Sequence, residues 1–445
     1  MMSNVTLESW GRYPASAPDG VMPVTWRADQ PAWNAADTSV LPYGMGRSYG
    51  DVCLNNGGTL LLTRGLDRFI DFDPVTGIIR AEAGVIIEEL LRFVMPHGWF
   101  IPVTPGTKYV TLGGAVANDV HGKNHHRMGT IGRHVRCFEL VRSDGRRLLC
   151  SSESHADWYA ATIGGMGLTG LVTWVELQLI RIESPIVDME TIKVRTLDEI
   201  VYWTMISDKD WDYTVSWIDC TKGGAQTGRG LFMRGNHARS AGGMRVDRRT
   251  VDGSLVDIPV DAPNWLLNRY SVTVFNRLYF HRQLRRFKRS RVGIDPFFYP
   301  LDIVHGWNRL YGKRGMLQYQ CVIPYNGDTQ LMRSILSEFR KAGIASFLAV
   351  LKMFGDIESP GVLSFPKPGL TLALDFGNDG TSVHRVLDRL DDMVLEAGGR
   401  VYAAKDARMS AATFRRMYPE AERLVPFIDP KFSSSFWRRV WQEAR

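Results

Sequence analysis

No run in this chain approaches the roughly 20 apolar residues that a bilayer-spanning helix requires. The first twenty residues, MMSNVTLESWGRYPASAPDG, lack the basic region and apolar core of a Sec signal peptide. Five cysteines, Cys53, Cys137, Cys150, Cys220 and Cys321, form no CxxC pair and are odd in number. That excludes a disulfide framework or a structural zinc site as the organising device. The chain has no internal repeat and no low-complexity tract, and its 43 glycines and 21 prolines follow no collagen-like period. These absences lead to an expectation of reduced thiols and a cytoplasmic location, with the periplasmic side left open.

What is present is a globular composition: 445 residues, 44% hydrophobic and 23% charged. That is enough apolar material for a packed core, and at about 150 residues per domain it suggests two or three domains. The net charge of +7 favours an anionic partner: a phosphate ligand, a membrane surface or a nucleic acid. Six of the cations crowd into RQLRRFKRSR, Arg282 to Arg291.

To about residue 185 the chain reads as short strands, glycine-rich turns and a few helices. Thr59–Leu62, Phe69–Phe72 and Ile78–Gly84 are strand candidates. Val85–Met95 turns helical, with Ile86, Leu90 and Val94 on one face, and ends at Pro96 and Gly98. Phe138–Leu149 reads as a hairpin around Asp144-Gly145, and Leu171–Ile180 as a long strand. The next section opens with strand and loop material and a polar stretch around Thr221–Asp252. The basic, aromatic stretch Asn268–Arg291 reads as an exposed excursion. Beyond it, LQYQCVIP (Leu317–Pro324), IASFLAVLKMF and LTLALDF are strands. Two amphipathic helices alternate with them, one with Leu331, Ile335 and Phe339 inward, the other with Val383, Val386, Leu387, Leu390 and Val394 inward. This pattern predicts an α+β fold with a mostly antiparallel sheet covered on one face.

Three glycine-dense segments stand out. Tyr43-Gly44-Met45-Gly46-Arg47-Ser48-Tyr49-Gly50-Asp51 allows close backbone approach and could form an anion-binding nest. It lacks the GKS or GKT of a Walker loop, and a tight turn is the plain alternative. Pro105-Gly106-Thr107 leads into Thr111-Leu112-Gly113-Gly114-Ala115-Val116-Ala117-Asn118-Asp119-Val120-His121-Gly122-Lys123-Asn124-His125-His126. Small residues there let backbone lie against a flat or diphosphate ligand. The histidines invite a metal reading, but no acidic ligand, Cys or Glu joins them at a suitable spacing. Gly164-Gly165-Met166-Gly167-Leu168-Thr169-Gly170 is the third. Together the three fit one extended ligand touched by several loops.

GRSYGD, then PGT…LGGAVAND-HG, then GGMGLTG resemble the FAD-binding domain of the vanillyl-alcohol-oxidase, or p-cresol-methylhydroxylase, family. With HGKNHH, LQYQCVIP, LSFPKPG and Gly398–Asp406 added, the likeness narrows to the decaprenylphosphoryl-ribose 2'-oxidase family and covers roughly residues 40 to 430. Those enzymes are the flavin half of an epimerase that makes an arabinofuranose donor for cell-wall arabinan. The resemblance implies a two-domain flavoprotein: an FAD-binding part at 1–185, a substrate-binding part at 186–399 and a C-terminal return at 400–445. It places FAD against Gly44, Met45, Gly46, Arg47, Ser48, Tyr49, Gly50 and Asp51. It adds Pro105, Gly106, Thr107, Thr111, Gly113, Gly114, Asn118, His121, Gly122, Asn124, Val172 and Tyr402. Arg47 stands where relatives with covalent flavin carry histidine, so FAD is expected to be non-covalent. The mycobacterial members have a cysteine in the strand matching GLTLALDF; Ala373 stands there here.

Flavin-dependent alcohol oxidation needs a base for the hydroxyl proton and a positive environment around the reacting centre. Lys405 is the first candidate and His121 the rival base. Gln318 and Gln320 alternate on LQYQ and so share one face, which suits sugar hydroxyls. Tyr49, Lys123 and Lys352 complete the expected substrate contacts. The expected reaction is oxidation of the 2'-hydroxyl of a polyprenyl-phospho-β-D-ribose, with an NAD(P)H-dependent short-chain reductase as epimerase partner. An oxidase of a free sugar, alditol or aldonolactone is the alternative. A flavin-binding scaffold without turnover is disfavoured by Lys405, His121 and the glutamine pair, and a nucleic-acid binder by the three glycine loops. The basic segment reads as a solvated loop or, with Trp265, Leu266, Leu267, Tyr270, Phe275 and Phe287, as a membrane-facing one.

Overall fold

The computed structural model describes residues 7–29, 33, 36–239 and 256–442. The stretch Thr221–Asp252 therefore lies partly outside the described residues. Three sheets organise the chain. A parallel three-stranded sheet has the order Gly20–Pro23, Thr59–Leu62, Val40–Tyr43. An antiparallel five-stranded sheet runs Phe69–Asp73, Ile78–Glu82, Leu171–Gln178, Val135–Val141, Arg147–Ser151. Its central strand buries Leu171, Thr173, Val175 and Leu177, the alternation the sequence predicts. The helix Ile87–Val94 buries Ile87, Leu90, Leu91 and Val94, and the turn after it closes on Gly98 at φ +79°. Only glycine takes up that left-handed conformation without steric cost.

The third sheet is the largest, eight strands and antiparallel at every pairing. Its order is Phe287–Gly293, Ile186–Val194, Gly230–His237, Tyr213–Ile218, Ala349–Phe354, Gly369–Gly377, Met316–Ile323, Arg400–Val401. Helices Leu197–Ser207, Gln330–Lys341 and Thr381–Glu396 pack on one face. Met332, Ile335, Phe339, Val386, Leu390 and Val394 join Tyr319, Cys321, Leu372 and Leu374 in one core. Strand alternation then turns Gln318 and Gln320 to the opposite face, away from the helices.

One expectation is corrected. The basic segment is not a free excursion: Arg269–His281 is a helix and Phe287–Gly293 is an edge strand of the eight-stranded sheet. The physical reason is cross-strand charge pairing. Arg289 faces Glu190 and Arg291 faces Asp188 in the register with Ile186–Val194, at 3.0 and 2.8 Å.

The C-terminal segment ties the sheets together. Val40 bridges to Phe432, and Asp429 accepts from the Ser143 hydroxyl at 2.6 Å. Arg439 pairs with Asp51 at 2.7 Å and Asp406 at 2.9 Å. Arg408 in turn reaches Asp388 and Asp391 on the helix Thr381–Glu396, each at 2.7 Å. These buried pairs, each with at least one partner almost wholly withdrawn from water, cross from the first glycine loop to a helix of the eight-stranded sheet.

Candidate active site

All three glycine segments reach one cavity of about 330 Å³. Gly44 and Gly46 come from the first, Gly106, Gly113 and Gly114 from the second, Gly167 and Gly170 from the third. The short helix Leu112–Ala117 is set by Thr111, whose hydroxyl accepts from Gly114 N–H at 3.1 Å. A side chain added at Gly106 would meet no protein atom within 4 Å, and one at Gly167 none closer than 3.6 Å. The backbone at both positions therefore borders space that a ligand can fill.

The opposite wall is the free face of the eight-stranded sheet. Register explains its composition: Gln320 lies across from Ala373, Ala373 from Val350, and Lys352 from Thr371. Gln318 lies across from Asp375. Gln318, Gln320, Val350, Lys352, Thr371 and Ala373 all line the cavity. Tyr402, Ala404 and Lys405 enter from the short turn after Arg400–Val401, with Tyr402 N–H donating to Gln320 O at 2.8 Å.

His121 lies buried between the two walls. The Gln320 side-chain amide meets its Nε2 at 3.0 Å and Lys352 Nζ meets its Nδ1 at 3.3 Å. Burial first, then the positive charge of Lys352, holds its pKa well below the usual histidine value. A neutral imidazole has one donor and one acceptor. Phe354, at 4.8 Å between ring centroids, and Phe365, at 5.8 Å, complete the enclosure.

Lys405 sits with Nζ 3.9 Å from the centre of the Tyr49 ring. The Tyr49 hydroxyl donates to Asp375 at 3.4 Å, and the Gln318 amide donates to the other carboxylate oxygen. Desolvation pulls Lys405 down to about 8 while Asp375 opposes the fall. Desolvation likewise raises Asp375 to about 7, against the Gln318 hydrogen bond and the Lys405 charge. Lys352 is also lowered to about 8, by burial and by Lys405. A lysine in this range is partly neutral near physiological pH and can accept a proton.

Of the residues expected at the site, five lie outside the cavity lining: Gly50, Asp51, Gly122, Lys123 and Asn124. Gly50 is pressed against the chain end, where a Cβ would fall 1.6 Å from Asp406 O. Asp51 is held by Arg439 at 2.7 Å. Gly122 O accepts from Lys352 at 3.3 Å. Lys123 donates to the carbonyls of Phe297 and Phe298, and Asn124 to Pro102 O at 2.8 Å. These contacts fix each of them beside the loops that line the cavity. Arg47 does line the cavity, but it lies over the Trp10 ring at 4.1 Å and donates to Tyr109 O at 3.3 Å. The histidines diverge: His125 packs on Phe354 at 4.5 Å and His126 faces Trp211 O at 3.1 Å.

Sequence reasoning missed Trp10, Tyr109, Asp375 and the segment Leu301–Trp307, which supplies Leu301, Asp302, Val304, His305, Gly306 and Trp307 to the lining. Asp375 was within reach, since it alternates with Ala373 and Thr371 on a strand already identified. The segment 301–307 carries no motif.

The cavity fits a flavin dinucleotide. Asn118 lines it, and its Oδ1 is buried without a hydrogen-bond partner among the described residues. Such an orphan acceptor calls for a ligand donor, and Nδ2 of the same residue is already committed to Gly114 O at 2.9 Å. The glycine turns provide the close backbone approach, and Tyr402, stacked on Phe365 at 4.5 Å with its hydroxyl on Asn118 O at 2.9 Å, braces the same loop.

Comparison with known proteins agrees. Residues 31–151 match the FAD binding domain family. The chain is 35% identical over 412 residues to a decaprenylphosphoryl-β-D-ribose oxidase of Mycolicibacterium smegmatis, across 90% of this chain and 89% of that one. It is 31% identical over 375 residues to an uncharacterized protein of Streptomyces coelicolor, across 80% of this chain and all of the other. A mitochondrial D-2-hydroxyglutarate dehydrogenase of Rattus norvegicus matches over only 124 residues, 26% of this chain and 23% of its own, at 31% identity. The FAD binding domain match, together with 35% identity across nine-tenths of both chains, shows the family: the chain belongs to the FAD-dependent decaprenylphosphoryl-β-D-ribose oxidase family.

Proposed function

We propose that this protein oxidises the 2'-hydroxyl of a polyprenyl-phospho-β-D-ribose to a ketone, with non-covalent FAD, as the first step of epimerisation to an arabinofuranose donor. The observation that carries the reading is the wall of two glutamines and two lysines facing the glycine turns across one cavity. FAD, when bound, accepts the carbon-bound hydrogen with its two electrons. Lys405 Nζ takes the hydroxyl proton, and its lowered pKa supports that role. Lys352 contributes positive charge, and His121, neutral and fastened on both ring nitrogens, orients Gln320. Gln318 and Gln320 present amides to the sugar hydroxyls. The residues expected to hold FAD are Gly44, Gly46, Pro105, Gly106, Thr107, Gly113, Gly114, Asn118, Val172 and Tyr402. In this reading residues 1–185 and 400–445 hold the cofactor and 186–399 the substrate.

The product is a ketone that must be reduced from the other face, which calls for a separate nicotinamide-dependent reductase. The lipid tail of the substrate implies peripheral contact with a bilayer; no helix among the described residues is long and apolar enough to cross one. The test is anaerobic. Polyprenyl-phospho-ribose added to the purified yellow protein should bleach the flavin band, expected near roughly 450 nm. Bleaching only with free sugars, alditols or lactones would favour that other substrate class, and a protein that cannot be loaded with FAD would overturn the reading.

A further inference from the structure

The helix Arg269–His281 is apolar on two opposite sides. Val272, Asn276 and Phe280 recur every four residues and are buried. Tyr270, Val274 and Leu278 recur with the same spacing about half a turn away, and are 81%, 59% and 67% exposed. A surface helix of a globular protein ordinarily turns a polar face to water. The anomaly extends beyond the helix: of the eighteen large hydrophobic residues exposed among the described ones, ten fall between Val256 and Phe287, including Trp265 at 73% and Leu284 at 89%.

Charge sharpens the pattern. Residues 262–294 contain eight arginines and lysines and no aspartate or glutamate. Arg286, Arg289 and Arg291 pair with acids of neighbouring elements. Arg269, Arg277, Arg285 and Lys288 are exposed and make no ion pair among the described residues. On the helical wheel Arg277 and Arg282 flank the outward stripe on its two sides. Apolar side chains at the centre with cations at the margins is the arrangement that lies flat at an anionic lipid interface.

The patch is continuous with the cavity. Val256 and Asp257 pair with Val304 and His305, and His305 both lines the cavity and has an exposed side chain. Leu267 packs with Tyr49, Trp307 and Tyr311, of which Tyr49 and Trp307 line the cavity. The opening at His305 therefore lies beside the exposed apolar segment.

We propose that the outward face of the helix Arg269–His281, with Trp265 and Leu284 at its ends, docks on an anionic lipid bilayer and sets the cavity opening at the headgroup level. Charge selects the occupant: a second copy of the chain would bring a like-charged face against this one, whereas acidic headgroups complement it. The proposal rests on the lipid-phosphate reading only for what the bilayer delivers; the surface itself follows from exposure and charge.

The test uses the FAD-loaded full chain and vesicles of phosphatidylcholine with or without about one-third phosphatidylglycerol, in co-sedimentation at low and moderate salt. Binding should require the anionic lipid and weaken with salt. Val274→Ser/Leu278→Ser, and separately Arg277→Glu/Arg285→Glu/Lys288→Glu, should each lower vesicle partition about tenfold or more. Both variants should keep their flavin spectrum and their rate of flavin reduction by a short-chain, water-soluble polyprenyl-phospho-ribose. Failure of the parent protein to bind anionic vesicles, or equal binding by both variants, overturns the proposal. So does a dimer that the same substitutions dissociate, or a protein partner captured in place of vesicles. Vesicle binding that persists while no polyprenyl-phospho-ribose bleaches the flavin would leave the docking face standing and refute the substrate reading instead.

Discussion

Replacing Asp375 by asparagine removes the carboxylate that opposes the fall of the Lys405 pKa. The two groups make no direct ion pair; Tyr49 stands between them, its ring under Lys405 and its hydroxyl on Asp375. For charges facing each other across one aromatic ring at an effective dielectric near 20, the lost attraction is on the order of a few kcal/mol, about one to two pK units. The sign is fixed by the chemistry: without the anion the ammonium is less favoured, so the Lys405 pKa falls below its value of about 8. If neutral Lys405 is the base, flavin reduction rises with pH through the Lys405 pKa, and the midpoint should fall by about one to two units in the variant. Stopped-flow reduction at saturating substrate across the pH range reads this directly. Asparagine keeps one acceptor for the Tyr49 hydroxyl and Gln318 amide donors but turns its own NH₂ towards the other. A separate loss of about 1–3 kcal/mol should therefore show in the melting curve without affecting the midpoint. An unchanged or raised midpoint refutes the coupling. Loss of the acid limb altogether, leaving a pH-independent rate, would make Asp375 itself the titrating base, since it too is placed near neutrality, at about 7.

Lys405→Met keeps the packing on Tyr49 but removes the proton acceptor. Flavin reduction should slow about 10²- to 10⁴-fold with FAD retained, and a change under threefold would exclude Lys405 as the base. Arg439→Ala strands the buried carboxylates of Asp51 and Asp406. Calorimetry should show a loss of about 3–5 kcal/mol, and a melting point within a degree of the parent would refute the clamp. Ala373 lines the cavity, at the position where the family resemblance implies a cysteine in mycobacterial members. A nitroaromatic inhibitor that relies on that thiol should leave the intact mass unchanged after turnover, and an adduct would contradict this.

Local chemistry was legible from the sequence alone. The glycine segments announced a close backbone approach because no other residue permits it, and all three meet at one cavity. Strand alternation placed Gln318 and Gln320 on one face, and helix periodicity picked the inward residues of the two covering helices. A period of two or 3.6 is a property of the chain itself, so it can be read before folding. What the tertiary structure decided is which side of each pattern meets what. Cross-strand register set Asp375 beside Gln318 and Ala373 beside Gln320, and registers pair residues more than fifty positions apart. The basic run became a turn and then an edge strand, whose Arg289 and Arg291 lie opposite Glu190 and Asp188, acids about a hundred residues away in sequence. Lys123, chemically as eligible as Lys352, turned to the carbonyls of Phe297 and Phe298. Burial, and with it the lowered pKa of Lys405, is created only when the sheet closes over the glycine loops, because desolvation belongs to the assembled cavity and not to any residue in it.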